Sequence, residues 1–146
     1  MKNLLFFLLI GGLASLCSCT KSEQPSTQDL LIGQWNITSF IDMDGDEMVD
    51  NTDPDVSTTI TLHFAADGKV TLELKYTELA TGSTAIEMAN GTYGWENDTT
   101  LRMSFTTPDN SVLTGVPVLT GNALSIAFSA VTPDENGTVI LKGERI

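Results

Sequence analysis

The stretch Thr59-Ile60-Thr61-Leu62-His63-Phe64-Ala65-Ala66-Asp67-Gly68-Lys69-Val70-Thr71-Leu72-Glu73-Leu74-Lys75-Tyr76 decides the fold. Ile60, Leu62 and Phe64 alternate with Thr59, Thr61 and His63, and after Asp67-Gly68 the apolar set Val70, Leu72, Leu74 and Tyr76 alternates with Thr71, Glu73 and Lys75. Successive side chains of a strand point to opposite faces, so a period of two means one buried face and one wet face. Asp-Gly tolerates the positive φ angles of a tight turn, and the two runs therefore read as a β-hairpin.

The same period continues outward in both directions. Upstream, Gly33 to Ile41 carries Trp35, Ile37, Ser39 and Ile41 on one face and Asn36, Thr38 and Phe40 on the other. Downstream, Ala85 to Glu96 carries Ile86 and Met88, then Tyr93 and Trp95, with Asn90-Gly91 between them reading as a bulge or bend. Leu101, Met103 and Phe105 follow, then a weaker piece from Val112 to Leu119, which Gly115 and Pro117 interrupt. Leu124, Ile126 and Phe128, and finally Thr138 to Lys142, complete eight strands joined mostly by short turns. No long stretch has helical spacing. Eight sequential antiparallel strands predict an all-β, up-and-down barrel, because closure removes the exposed edges of an open sheet. A barrel of this size has an interior just wide enough for packed side chains or one small ligand.

The chain has 146 residues and a formal net charge of −12, enough for one domain. Residues 1–18 read as an export signal: Lys2, an apolar run from Leu4 to Ile10, then Gly11, Gly12, Ala14 and Ser15 ahead of a cysteine. The apolar run is too short for a membrane-spanning helix, which needs about 20 residues. Leu16-Cys17-Ser18-Cys19 resembles a bacterial lipobox, with Cys19 as the lipidated residue; Cys17 fits less well because bulky Leu16 would precede it directly. The alternative is an ordinary signal peptide with two incidental cysteines. Residues 19–29 are polar and read as a tether, and the barrel is expected over residues 30–146. The chain has two cysteines, Cys17 and Cys19, so the barrel is expected to stand without disulfides. No Lys or Arg occurs between Lys21 and Lys69, which argues against nucleic acid, whose phosphates need clustered cations.

In their order along the chain, several short motifs resemble the lipocalin-like lipoproteins of Bacteroidetes. They are the lipobox at Cys19, the Gly33-Gln34-Trp35 opening, the aspartate-rich loop after the first strand, the Phe64-Ala65-Ala66-Asp67-Gly68 hairpin, and Gly91-x-Tyr93-x-Trp95 followed by Leu101-x-Met103. The resemblance implies an outer-membrane lipoprotein of the cell envelope, facing the periplasm or the cell surface. It also implies that the first-strand Trp35 closes one end of the barrel and that Arg145 packs across it.

Two constellations are candidates for function. The first is the loop after the opening strand. Counting Asp42 as the first position, carboxylates fall at positions 1, 3, 5, 9 and 12: Asp42, Asp44, Asp46, Asp50 and Asp53. Calcium takes six to eight oxygens, and this spacing resembles a calcium loop, although the glycine, Gly45, lies at position 4 and Glu47 occupies position 6, where such a loop needs its turn glycine. The other reading is a solvated acidic loop, with seven acids between Asp42 and Asp55 and no base. The second constellation is aromatic. Trp35, Phe64, Tyr76, Trp95, Phe105 and Phe128 either line a ligand cavity or fill the core. His63 is the only histidine, so a nucleophile–base pair has no second imidazole to draw on and no enzymatic activity is expected. The sequence thus favours a non-catalytic module that holds a small apolar ligand. The competing reading is a filled barrel that contacts an envelope protein or a glycan.

Overall fold

The computed structural model describes residues 26–49, 54–106 and 110–146. A short helix α1 (Thr27–Leu31) precedes nine strand segments: β1 (Gly33–Ile41), β2 (Val56–Phe64), β3 (Lys69–Glu78), β4 (Thr84–Trp95), β5 (Leu101–Phe105), β6 (Val112–Gly115), β7 (Val118–Thr120), β8 (Ala123–Val131) and β9 (Asn136–Arg145). Each pairs antiparallel with its neighbour, β1 pairs with both β2 and β9, and β6 pairs with β8, which closes the sheet into a barrel. The segments β6 and β7 occupy one position in the wall. They meet β8 in a single register, with Gly115 opposite Phe128 and Val118 opposite Ser125. The break between them falls at Val116-Pro117, where proline has no N–H to give to the ladder. The barrel is therefore eight-stranded and up-and-down, as the period-two pattern predicts.

The hairpin that decides the fold runs in unbroken register from Phe64↔Val70 to Val56↔Glu78. Its turn closes with Gly68 N–H donating to the Ala65 carbonyl at 3.1 Å, and Gly68 adopts φ 82°, a conformation that costs an ordinary residue but not glycine. The inward sets of the strands, among them Ile60, Leu62, Phe64, Val70, Leu101, Met103, Leu124, Ile126 and Phe128, form one buried apolar core. Among the described residues no polar or charged side chain is buried.

Two faces differ from the sequence-based expectation. A β-bulge between Ile37 and Ser39 shifts the register of β1 against β9, so Ile37 faces Gly143 but Phe40 faces Leu141. One extra residue reverses the alternation. Phe40 thereby packs on the core, while the Ser39 hydroxyl reaches Glu47. In β4 no bulge occurs at Asn90-Gly91: the register is regular from Lys69↔Thr92 to Thr77↔Thr84 and from Gly91↔Phe105 to Trp95↔Leu101. Gly91 serves close approach instead, since a Cβ there would lie 2.3 Å from the Ser104 carbonyl oxygen. The alternation then carries Tyr93, Trp95 and Ala89 inward and leaves Ile86 56% exposed on the outer face, with Met88 53% exposed beside the cavity.

One end of the barrel is shut. The α1 helix begins with a capping box, Ser26 Oγ accepting the Asp29 N–H while Asp29 accepts the Ser26 N–H. It buries Leu31 over the barrel end, and the Trp35 indole N–H donates to the Leu31 carbonyl at 2.9 Å. Arg145 lies over the Trp35 ring, 4.8 Å from its centroid, and donates to the carbonyls of Ile32 and Leu30. Residues 27–29, read from sequence as tether, are thus part of this plug. At the same end the Tyr93 hydroxyl donates to the Ala65 carbonyl at 2.7 Å, and its ring meets Phe64 edge-on at 5.1 Å.

The Tyr93 geometry makes a prediction. Tyr93→Phe removes one hydrogen bond and should cost about 1 kcal/mol of unfolding free energy in urea titrations. Burial, then the charge of Asp67, holds the Tyr93 hydroxyl protonated above its ordinary range, and burial, then the charge of Glu87, does the same for Tyr76. The folded state therefore binds these protons more tightly than the unfolded chain. Stability should be full below about pH 10, the ordinary tyrosine value, and fall as pH rises through the raised folded values. In Tyr93→Phe the alkaline loss should be smaller than in the wild type.

Candidate functional site

The opposite end of the barrel is open, and its interior holds a cavity of about 660 Å³. That volume lies within the range of small-molecule sites, about 300–1,000 Å³. Its apolar walls come from seven strands and one loop: Phe40 of β1, Leu72 and Leu74 of β3, Met88 and Ala89 of β4, Phe105 of β5, Leu113 of β6, Ala130 of β8 and Val139 of β9, with Met43 and Met48 from the loop after β1. Asp42, Glu87, Ser111 and Thr132 supply the polar groups. The cavity exists because inward positions at this end carry small residues. Ala89, opposite Leu72, and Ala130, opposite Leu113, leave space that the closed end fills with Trp35, Phe64 and Phe128.

The acidic loop forms the near side of the mouth and is tied down by its own backbone. Asp42 Oδ1 accepts the N–H groups of Asp44 at 3.0 Å and Asp46 at 2.9 Å, and the Asp42 N–H donates to the Asp46 carbonyl. The Glu47 carboxylate turns back onto β1, accepting the Phe40 N–H and the Ser39 hydroxyl, each at 2.7 Å, and the Val49 N–H at 3.2 Å. Met43 packs on Gly137, where a Cβ would lie 2.8 Å from the Met43 Cβ. These anchors aim two methionines at the cavity, and methionine is the apolar side chain that best adapts its shape to a guest. Glu47→Ala should free the loop: faster hydrogen exchange at the Phe40 and Val49 amides, with about 1–2 kcal/mol lost, measures it.

Among its described residues the loop does not gather its carboxylates. Asp42 spends one oxygen on the turn, and no group of three or more His, Cys, Asp or Glu side chains among the described residues could hold a metal ion. The Asp42 carboxylate thus serves the turn, and Glu47, at the position where a calcium loop has its glycine, anchors the loop. Asp50 and Asp53 lie outside the described residues, as does Cys19.

Of the six aromatic candidates, Phe105 lines the cavity. Trp35, Phe64 and Phe128 are fully buried core at or toward the closed end. Trp95 packs against the core and borders a separate shallow groove with Glu96 and Arg102, whose ion pair spans 3.2 Å. Tyr76 has the inward parity of β3 toward the open end, where Glu87 acts on it. The residues missed in sequence, chiefly Phe40, Ala89, Leu113, Ala130 and Val139, are inward positions with little aromatic content. Counting back from Trp95 and Tyr93 without a bulge would have found Ala89 and Glu87.

Fold and cavity together define a closed β-barrel with one capped end and one open, apolar end. No family model matches the chain, and no curated protein matches it. Solved barrels do. A de novo designed fluorescence-activating β-barrel matches at 13% identity over 79% of this chain and 93% of its own, with a TM-score of 0.40. The structure of EF1p2_mFAP2b bound to DFHBI matches at 12% identity over 82% and 96%, with a TM-score of 0.46. The likeness is confined to the barrel.

Proposed function

We propose that this protein is a non-catalytic carrier that holds one small apolar ligand in the open end of its barrel. The observation that carries this reading is the cavity itself, about 660 Å³ with mostly apolar walls and a few polar groups at its mouth. The competing picture of a filled barrel needs the large aromatic residues to occupy the whole interior. Trp35, Phe64 and Phe128 pack the closed end, whereas at the other end Ala89 and Ala130 stand among the lining and a cavity remains. The exposure of His63, the only histidine, supports the non-catalytic reading.

The setting rests on sequence. The export signal and the lipobox support a lipocalin-like lipoprotein held in the cell envelope through lipid on Cys19, and several acyl chains give a stable anchor. Mass spectrometry of protein from its source, with Cys19→Ala beside it, tests the anchor: the acyl mass should vanish in the variant.

Titration with the neutral apolar dye Nile red tests the carrier reading. One saturable site with a blue-shifted emission is expected. An unsaturable or absent signal would overturn it.

A further inference from the structure

Resting on the carrier reading above, we infer that the cavity selects amphiphiles with a cationic head, such as a protonated amine on an apolar body, and rejects apolar carboxylates. The charged residues among its lining are Asp42 and Glu87, both acids. Asp42 is held at the mouth by the two backbone N–H groups on its Oδ1. Glu87 stands opposite Leu74 with the inward parity of β4, next to Tyr76, whose hydroxyl stays protonated and can accept or donate but not repel.

Every described base lies elsewhere. Lys75 and Lys142 belong to strands that wall the cavity, yet both are exposed and alternate with inward neighbours that line or floor it. Lys69 pairs with Asp67 in the hairpin at the shut end, Arg102 pairs with Glu96 on the outer surface, and Arg145 covers Trp35. Asp44 and Asp46 add negative charge beside the mouth, in a chain of net charge −12. A buried apolar tail leaves its head at the mouth, where it meets the half-buried Asp42 and the exposed Glu87. There an ammonium is attracted, an alcohol is indifferent, and a carboxylate is repelled without any base to offset the cost.

A matched series separates this selection from simple apolar binding: decylammonium, decanol and decanoate, titrated calorimetrically into the full barrel below their aggregation concentrations. Decylammonium should bind about tenfold more tightly than decanol, and decanoate more weakly than both. In Asp42→Asn/Glu87→Gln the preference should shrink to about threefold or less. Asparagine keeps an oxygen for the two turn N–H groups, and Glu87→Gln alone gives the same direction if the double variant folds poorly. Binding of decanol with no advantage for decylammonium would overturn the inference and leave the carrier reading standing. An advantage that persists undiminished in the variants would also overturn it, because the remaining acids would then account for the attraction. Failure of all three to bind would overturn both.

Discussion

Trp35→Ala should lower the unfolding free energy by about 3–5 kcal/mol, the cost of deleting a large buried aromatic side chain. Domains of this kind are stable by about 5–15 kcal/mol in total, so this is a large fraction. Three interactions are lost together. Trp35 is fully buried in the core, its indole N–H satisfies the Leu31 carbonyl, and its ring carries Arg145. The cation–π contact alone is worth about 0.5–2 kcal/mol. Trp35→Phe keeps most of the volume and loses the N–H, and should cost about half as much. Urea denaturation followed through Trp95 fluorescence measures both. A loss below about 1 kcal/mol for Trp35→Ala would mean that the plug is not what closes this end.

The second large effect concerns binding. Ala89→Phe places a ring in the cavity from an inward position opposite Leu72. Affinity for a neutral apolar ligand should fall about a hundredfold or more, because the guest's space is taken. Stability should change by no more than about 1–2 kcal/mol, since the ring enters empty volume rather than a packed core. Ile86→Ser is the control: its side chain lies on the outer face and should leave binding unchanged. Dye titration and urea denaturation on the three proteins separate occlusion from unfolding.

The strands were legible because the buried face repeats with period two, and a barrel follows from eight such runs in sequence. Trp35 and Arg145 also meet as the lipocalin-like resemblance implies. What could not be read was phase. One inserted residue at Thr38 turns Phe40 inward, and the absence of a bulge at Asn90-Gly91 turns Ile86 outward. Neither event leaves a mark in composition, because a bulge depends on how two strands meet and not on one strand alone. The cavity was hidden for a related reason. Aromatic residues mark where an interior is full, whereas this site is made by what Ala89 and Ala130 lack. The acidic loop shows the same ambiguity in charge: Asp42, at the first position of the calcium-like spacing, caps a turn, and Glu47, outside the candidate ligand set, holds the loop against β1.

The central claim is that a ligand enters the open end of the barrel and stays there. Methyl NMR during titration with decanol addresses it directly. The methyl groups of Met43, Met48, Leu72, Leu74, Leu113 and Val139 should shift together and saturate at one equivalent, while Leu31, Leu101 and Leu124 at the packed end stay in place. Shifts scattered over outward residues such as Ile86 and Val118, or none at the cavity methyl groups, would contradict the account.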